Sequence, residues 1–288
     1  MEPITSTRAT LGEGAIWYGD KLYWVDITEK RVYIYDPKAN SERVIQLDSM
    51  VGTVVPRQGG GLAVAIQTGF ALLDPDTGKV TPIVDPEADK PHTRFNDGKC
   101  DPNGRFWAGT MALSEGPRQG ALYVLDGKGN VRKMVDGVSI SNGICWSHDA
   151  KTMYYIDTPT YQVVAYDYDN ETGDISNPRT VIEFDRDEGA PDGMTIDERG
   201  YLWIAMWGGY SVVCHDPNTG KRHAKVDVPA RNVTSCAFGG DDLSDLYITS
   251  ARQGNTPEQL KDQPYAGGLF RVKVGVRGVP AFAFRWEG

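Results

Sequence analysis

Short runs of alternating apolar and polar residues recur along the whole chain. KLYWVDI (21–27), RVYIYDP (31–37), RFWAGTM (105–111), TMYYIDT (152–158), VVAYDYD (163–169), YLWIAMW (201–207) and DLYITSA (245–251) all read this way. A period of two with aromatic and β-branched residues predicts half-buried strands. DPDTGK (74–79), DPNGR (101–105), DERG (197–200) and DPNTGK (216–221) supply Asp, Pro, Asn and Gly where hairpins need them. Helical periodicity is nearly absent, so the pattern predicts antiparallel meanders.

The meanders repeat. TLGEGAIW (10–17), RFNDGKCD (94–101), ISNGICWS (140–147) and APDGMTID (190–197) each put a side-chain oxygen ahead of a glycine and an apolar run. Those oxygens belong to Glu13, Asn96, Asn142 and Asp192, at intervals of 83, 46 and 50 residues. The first interval is nearly two repeats, and the stretch from Gly59 to Val84 fits the missing unit. A sixth unit begins near TSCAFGG (234–240). Units of about 40 to 50 residues with four strands each predict a β-propeller, because a lone blade cannot cover both its faces. The expectation is one all-β domain over 1–288: a six-bladed β-propeller of four-stranded antiparallel blades around a central channel. PITSTRA (3–9) is expected to complete the last blade, with VPAFAFRW (279–286) as the competing segment.

First strands of propeller blades line the channel, so equivalent positions on different blades converge at one mouth, and the glycines are expected to let the backbone turn tightly there. Two carboxylates about 4 Å apart repel by roughly 4 kcal/mol at an effective dielectric of 20, so Glu13 and Asp192 call for a balancing cation. Carboxylates with an amide carbonyl suit Ca²⁺, Mg²⁺ or Mn²⁺, and Zn²⁺ also accepts carboxylates. His92, His148, His215 and His223 fall outside the marked positions, and no P-loop, dinucleotide fingerprint, His-Glu-x-x-His or Gly-x-Ser-x-Gly motif occurs.

Composition narrows the partners. A net charge of −9 and a pI near 5.0 leave no basic surface for nucleic acid. No apolar run is long enough to span a bilayer and the start lacks an export signal, which predicts a cytoplasmic protein with no membrane partner. Cys100, Cys145, Cys214 and Cys236 have no C-x-x-C spacing and read as reduced, buried residues.

LGEGAIW (11–17), RFNDGKCDPNGRFWAGTM (94–111), QGALYVLD (119–126), ISNGICWS, PDGMTIDERGYLWIA (191–205), TSCAFGG and AGGLFRV (266–272) resemble the regucalcin/gluconolactonase family, also known through senescence marker protein. The resemblance runs nearly end to end. It implies metal-dependent hydrolysis of a sugar lactone, an aldonolactone such as gluconolactone or a pentonolactone, to the aldonic acid. It implies one divalent metal, Ca²⁺ first and Zn²⁺, Mn²⁺ or Mg²⁺ otherwise, on Glu13, Asn142 and Asp192, with Asp192 also the proton acceptor. Arg94 and Asn96 match the pair that holds substrate, and Asp97 reads as a turn residue or a support behind the ligands. After GTM, the family's animal members carry a longer loop with a sugar-contacting glutamate. Here only ALSEGPR (112–118) is present, so Glu115 is the substrate-binding candidate, although direct counting lands on Ser114. AMWGGYSV (205–212) and IDTPTY (156–161) are candidates for the pocket rim or for packing between blades. The alternatives are a calcium-binding regulatory protein of regucalcin type and a metal-dependent esterase or phosphotriesterase on the same site. Either way the expected partner is a small molecule, with the chain a monomer or weak homo-oligomer.

Overall fold

The alternating runs form strands and the turn motifs close hairpins. In the computed structural model, which describes residues 1–288, β1 (Gly12–Tyr18), β2 (Lys21–Asp26), β3 (Arg31–Asp36) and β4 (Ser41–Gln46) make one antiparallel four-stranded sheet. The meander recurs as β5 (Val51–Pro56), β6 (Leu62–Ile66), β7 (Gly69–Leu73) and β8 (Val80–Val84). It recurs again as β9 (Thr93–Cys100), β10 (Phe106–Ala112), β11 (Gly120–Leu125) and β12 (Val131–Val138). A fourth copy is β13 (Ser141–Trp146), β14 (Thr152–Asp157), β15 (Gln162–Tyr168) and β16 (Ile175–Glu183). Next come β17 (Ala190–Ile196), β18 (Leu202–Trp207), β19 (Ser211–His215) and β20 (Arg222–Asp227). They share a seven-stranded sheet with β21 (Asn232–Gly239), β22 (Asp245–Ala251) and β23 (Phe270–Lys273), joined where Trp207 pairs with Asn232. Helix is confined to short pieces, and none is long and apolar enough to cross a membrane.

The first strands pack in a closed cycle: β1 on β5, β5 on β9, β9 on β13, β13 on β17, β17 on β21, and β21 back on β1. Burial falls outward along each sheet. All of β5 and β13 is buried, whereas β16 and β20 are largely exposed and β12 is mostly half-buried or exposed. An all-β chain of four-stranded antiparallel sheets arranged in this way is a β-propeller. Its core lies between neighbouring sheets. Phe70, Phe95, Phe106 and Phe284, for example, are fully buried against one another, and each contributes about 1.5–3 kcal/mol by leaving water. Two of the predicted turns carry a second duty. Asp101 accepts from its turn and from Trp107 Nε1 (2.9 Å), and Asp197 accepts likewise from its turn and from Trp203 Nε1 (3.1 Å). A fixed Asp–Gly–Trp spacing thus pins each hairpin to its own strand. All four cysteines are free and buried, as expected.

The last unit closes differently from expectation. Residues 3–9 form no strand; their backbone N–H groups reach the last unit at two points, Ile4 N–H to Leu269 O (2.8 Å) and Ala9 N–H to Gly267 O (2.7 Å). The seam is sealed instead by a bridge between Leu11 and Ala251. The C-terminal segment runs across the ring, with Gly278 bridging Asp197 and Phe284 bridging Arg57. The isolated edge of β23 offered the N-terminal segment a partner, but Pro3 removes a donor and Thr7 is held by Glu42 on the neighbouring sheet.

Every first strand contains a register slip of one residue: Glu13–Ile16, Val51–Thr53, Phe95–Gly98, Ser141–Ile144, Pro191–Met194 and Val233–Ser235. Such bulges re-aim a side chain locally. The glycines beside them serve a purpose the sequence did not reveal. Of Gly14, Gly98, Gly143 and Gly193 only Gly14 has a left-handed φ, 62°. A methyl on Gly143 would stand 2.7 Å from the Asp192 carbonyl, and one on Gly193 2.7 Å from that of Thr234. These residues are small because neighbouring strands crowd the channel. Gly143→Ala should therefore cost about 1–3 kcal/mol, the usual penalty of overpacking. Denaturant unfolding measures it, and an unchanged midpoint would mean that the ring spreads freely.

Candidate active site

The bulges of β1, β9, β13 and β17 bring Glu13, Arg94, Asn96, Asn142 and Asp192 to a single cavity of about 130 Å³. Residues two apart on a strand share a face, which puts Leu11 with Glu13, Arg94 with Asn96, and Ile140 with Asn142. Met111, Thr158, Trp207 and Gln253 complete the wall. Glu115, held at φ 56° in the short loop after β10, reaches the cavity, while Ser114 does not line it. Of the pocket-rim candidates, Thr158 and Trp207 are in the wall. Leu11 and Ile140 went unrecognised although the two-residue period marks them; Gln253, from the loop after β22, had no sequence signal.

Glu13 and Asp192 are both buried, and both line this cavity. Burial first, then the charge of Asp97, pushes Glu13 up to about 8. Asp192 is held well above the usual carboxylate range by burial, then by Glu13 and Asp97. Asp97 is a third buried carboxyl, itself raised by burial. Its Oδ1 accepts from Gly98 N–H (2.7 Å) and its Oδ2 has no partner. Asp192 Oδ1 is likewise buried without a hydrogen-bond partner. Arg94 offsets part of this charge. Its guanidinium is drawn down to about 10 by burial, against the pull of Glu13, Glu115 and Asp192.

The amides are oriented by their neighbours. Arg94 Nη1 donates to Asn96 Oδ1 (2.7 Å) and to Phe95 O (3.0 Å), leaving its other nitrogens for the cavity. Asn96 Nδ2 donates to Ser141 O (2.7 Å) and more weakly to Asn142 Oδ1 (3.4 Å). Asn96 thus ties Arg94 to β13, and its oxygen is already engaged. Thr158 hydroxyl donates to Pro191 O (2.8 Å), so it must accept from Asn142 Nδ2 (2.9 Å). That fixes the Asn142 amide with its carbonyl oxygen towards Asn96 and the cavity.

Two carboxyls whose charge burial opposes, one of them with an orphaned oxygen, and an aimed amide carbonyl are the donors a hard divalent cation takes. No group of three or more His, Cys, Asp or Glu side chains is assembled for metal binding anywhere in the chain, so an amide must complete any such set. If it does, Thr158→Val frees the Asn142 amide to turn, and divalent-cation affinity should fall about 10–100-fold. Calorimetric titration reads this; unaltered affinity would remove Asn142 from the ligand set.

Residues 11–252 match the family model described as SMP-30/Gluconolactonase/LRE-like region. The chain belongs to this family. It is 42% identical over 280 residues to a Bacillus subtilis (strain 168) protein provisionally named sugar lactone lactonase YvrE, covering 96% of each chain. It is 43% identical over 289 residues to regucalcin of Danio rerio, covering 99% of this chain and 98% of that one. Among solved structures, a calcium-binding regucalcin from Agrobacterium tumefaciens superposes with a TM-score of 0.94 at 29% identity, covering 98% of this chain and 96% of that one. The match to the family model begins at Leu11, ahead of Glu13, and includes every residue of the cavity except Gln253.

Proposed function

We propose that this family member is a metal-dependent lactonase that opens a sugar lactone, of the gluconolactone or pentonolactone type, to the free aldonic acid. We take the seven-stranded sheet as two blades, which makes a six-bladed ring with the site at one mouth of its channel. The observation that carries the reading is the orphaned Asp192 Oδ1 beside Glu13, facing Asn142 and Arg94 across one small cavity. Glu13, Asn142 and Asp192 would hold the divalent ion, Ca²⁺ by the hardness of the donors and by the description of the Agrobacterium relative. Bound there, the ion supplies Lewis acidity to polarise the ester carbonyl. Asp192 accepts the proton of the attacking water. Arg94, held in place by Asn96, orients ring oxygens and hydroxyls, which turns an encounter into a near-attack geometry. Glu115 at the mouth accepts hydrogen bonds from sugar hydroxyls. No covalent intermediate is required, in keeping with the missing nucleophile motif.

The test is a panel of five- and six-membered aldonolactones assayed with Ca²⁺, Mg²⁺, Mn²⁺ and Zn²⁺. Hydrolysis that needs a divalent ion is the expected result; no turnover of any lactone with any ion would overturn the reading. Glu115→Gln should re-rank the lactones rather than abolish hydrolysis. Unchanged relative efficiencies would show that Glu115 does not read the sugar.

A further inference from the structure

The first strands leave the cavity of Glu13 and Asp192 and, three to five residues on, roughly 10–17 Å along each strand, line a second and larger space. This chamber has a volume of about 420 Å³ and lies under the C-terminal segment. Its walls include Ile16, Trp17, Trp146, Ile196, Phe238 and Phe282. That volume falls within the roughly 300–1,000 Å³ of ordinary small-molecule sites, which the catalytic cavity does not reach. Phe282 is 41% exposed on an irregular segment above the chamber, an apolar surface with no protein partner over it.

One cation stands in these walls. Lys99 Nζ donates to the Met194 carbonyl and forms none of the chain's ion pairs, so two of its three N–H groups are uncommitted. Asp97, two residues away on the same strand, acts on it through space but does not hydrogen-bond to it, since Asp97 Oδ2 has no partner. His148 is the other basic side chain in the lining. In a protein of net charge −9, an unpaired ammonium among indole and phenyl rings is a feature that folding alone does not require.

We propose that this chamber binds an amphipathic organic monoanion, with its head on Lys99 Nζ and its apolar body between Trp17, Trp146 and Phe238. The proposal is independent of the lactonase reading, because it uses none of the same side chains.

Calorimetric titration of the full chain with 1-octanesulfonate and with 1-octanol tests it; a sulfonate is chosen because it is a poor metal ligand. Octanesulfonate should bind about tenfold more tightly than the neutral alcohol, the scale of one charge-assisted hydrogen bond. Lys99→Met should erase that difference and leave octanol binding as it was. Ala281→Trp, which fills the chamber from the irregular segment, should weaken both ligands and leave lactone turnover unchanged. Should Lys99→Met fail to fold, the comparison of the two ligands on the unaltered protein and on Ala281→Trp still decides. Equal affinity for sulfonate and alcohol, binding untouched by Ala281→Trp, or displacement of octanesulfonate by a lactone would each overturn the proposal.

Discussion

Asp192→Asn should lower kcat for lactone hydrolysis by on the order of 10²–10⁴-fold, the range of a lost general base, and weaken divalent-cation binding in the same protein. The two losses belong together because one side chain is assigned both duties, proton acceptor and anionic ligand. The amide keeps the shape of the carboxyl, so packing around Gly193 and Thr158 should persist and the apo fold should be no less stable. Near neutral pH it should be slightly more stable, since folding no longer has to protonate a carboxyl whose charged form burial opposes. Arg94→Ala separates substrate placement from metal binding: kcat/KM should fall while cation affinity is preserved. Near-normal turnover in Asp192→Asn would sink the assignment. Turnover and metal affinity are measured on the same purified preparation.

The second large effect is on stability, and its sign follows from the direction of the shifts. Glu13 is raised to about 8 in the folded chain, and Asp192 is raised as well, so the folded state holds protons that the unfolded state releases. The corresponding stability is fully present below the unfolded pKa, about 4.3, and is lost as pH rises through about 8 for Glu13. Protein stripped of metal should therefore melt at progressively lower temperature from about pH 5 to pH 8. A divalent cation reverses the trend by favouring the ionised pair, and it binds more weakly in acid because it must displace protons. At 100 times its dissociation constant it adds about 2.7 kcal/mol. For a chain of this size that is roughly 5–10 °C in Tm. Scanning calorimetry across this pH range, with chelator and with each ion, gives both curves. Glu13→Gln should flatten the apo curve and shrink the metal-dependent shift; a full shift in that variant would place the cation elsewhere.

Much of this was legible beforehand, for reasons that are local. Period-two alternation and turn chemistry act within six or seven residues, so KLYWVDI and RFWAGTM declared themselves strands without reference to the rest of the chain. The marked oxygens of Glu13, Asn142 and Asp192 were legible because repetition puts equivalent positions on one level. What stayed hidden depends on partners distant in sequence. Asn96 looked equal to the other three, yet its oxygen is taken by Arg94 and its amide nitrogen reaches across to β13. Gly143 and Gly193 looked like turn residues, and only the neighbouring carbonyl explains them. Thr158 orients Asn142 through Pro191, a relation between two sheets that no linear motif encodes. The failed strand at 3–9 belongs here too, since its fate was set by competition between two sheet edges.

The seam has a consequence for how the protein comes into being. Leu11 is held by Ala251, and Glu13 lies two residues beyond that stitch. During synthesis the first sheet emerges early, but its inner strand cannot be fixed until nearly the whole chain has been made. Asp192, Asn142 and Asn96 belong to sheets already synthesised by then, whereas the strand of Glu13 still waits for its seam partner. Bringing residue 11 to residue 251 also closes one of the long loops of the molecule, and such long-range closures are slow. On the proposed ligand set, ion binding by Glu13 together with Asp192 would require the seam between residues 11 and 251 to be closed, and a nascent chain ending between Asp192 and Ala251 would carry Glu13, Asn96, Asn142 and Asp192 and still be unable to assemble the site.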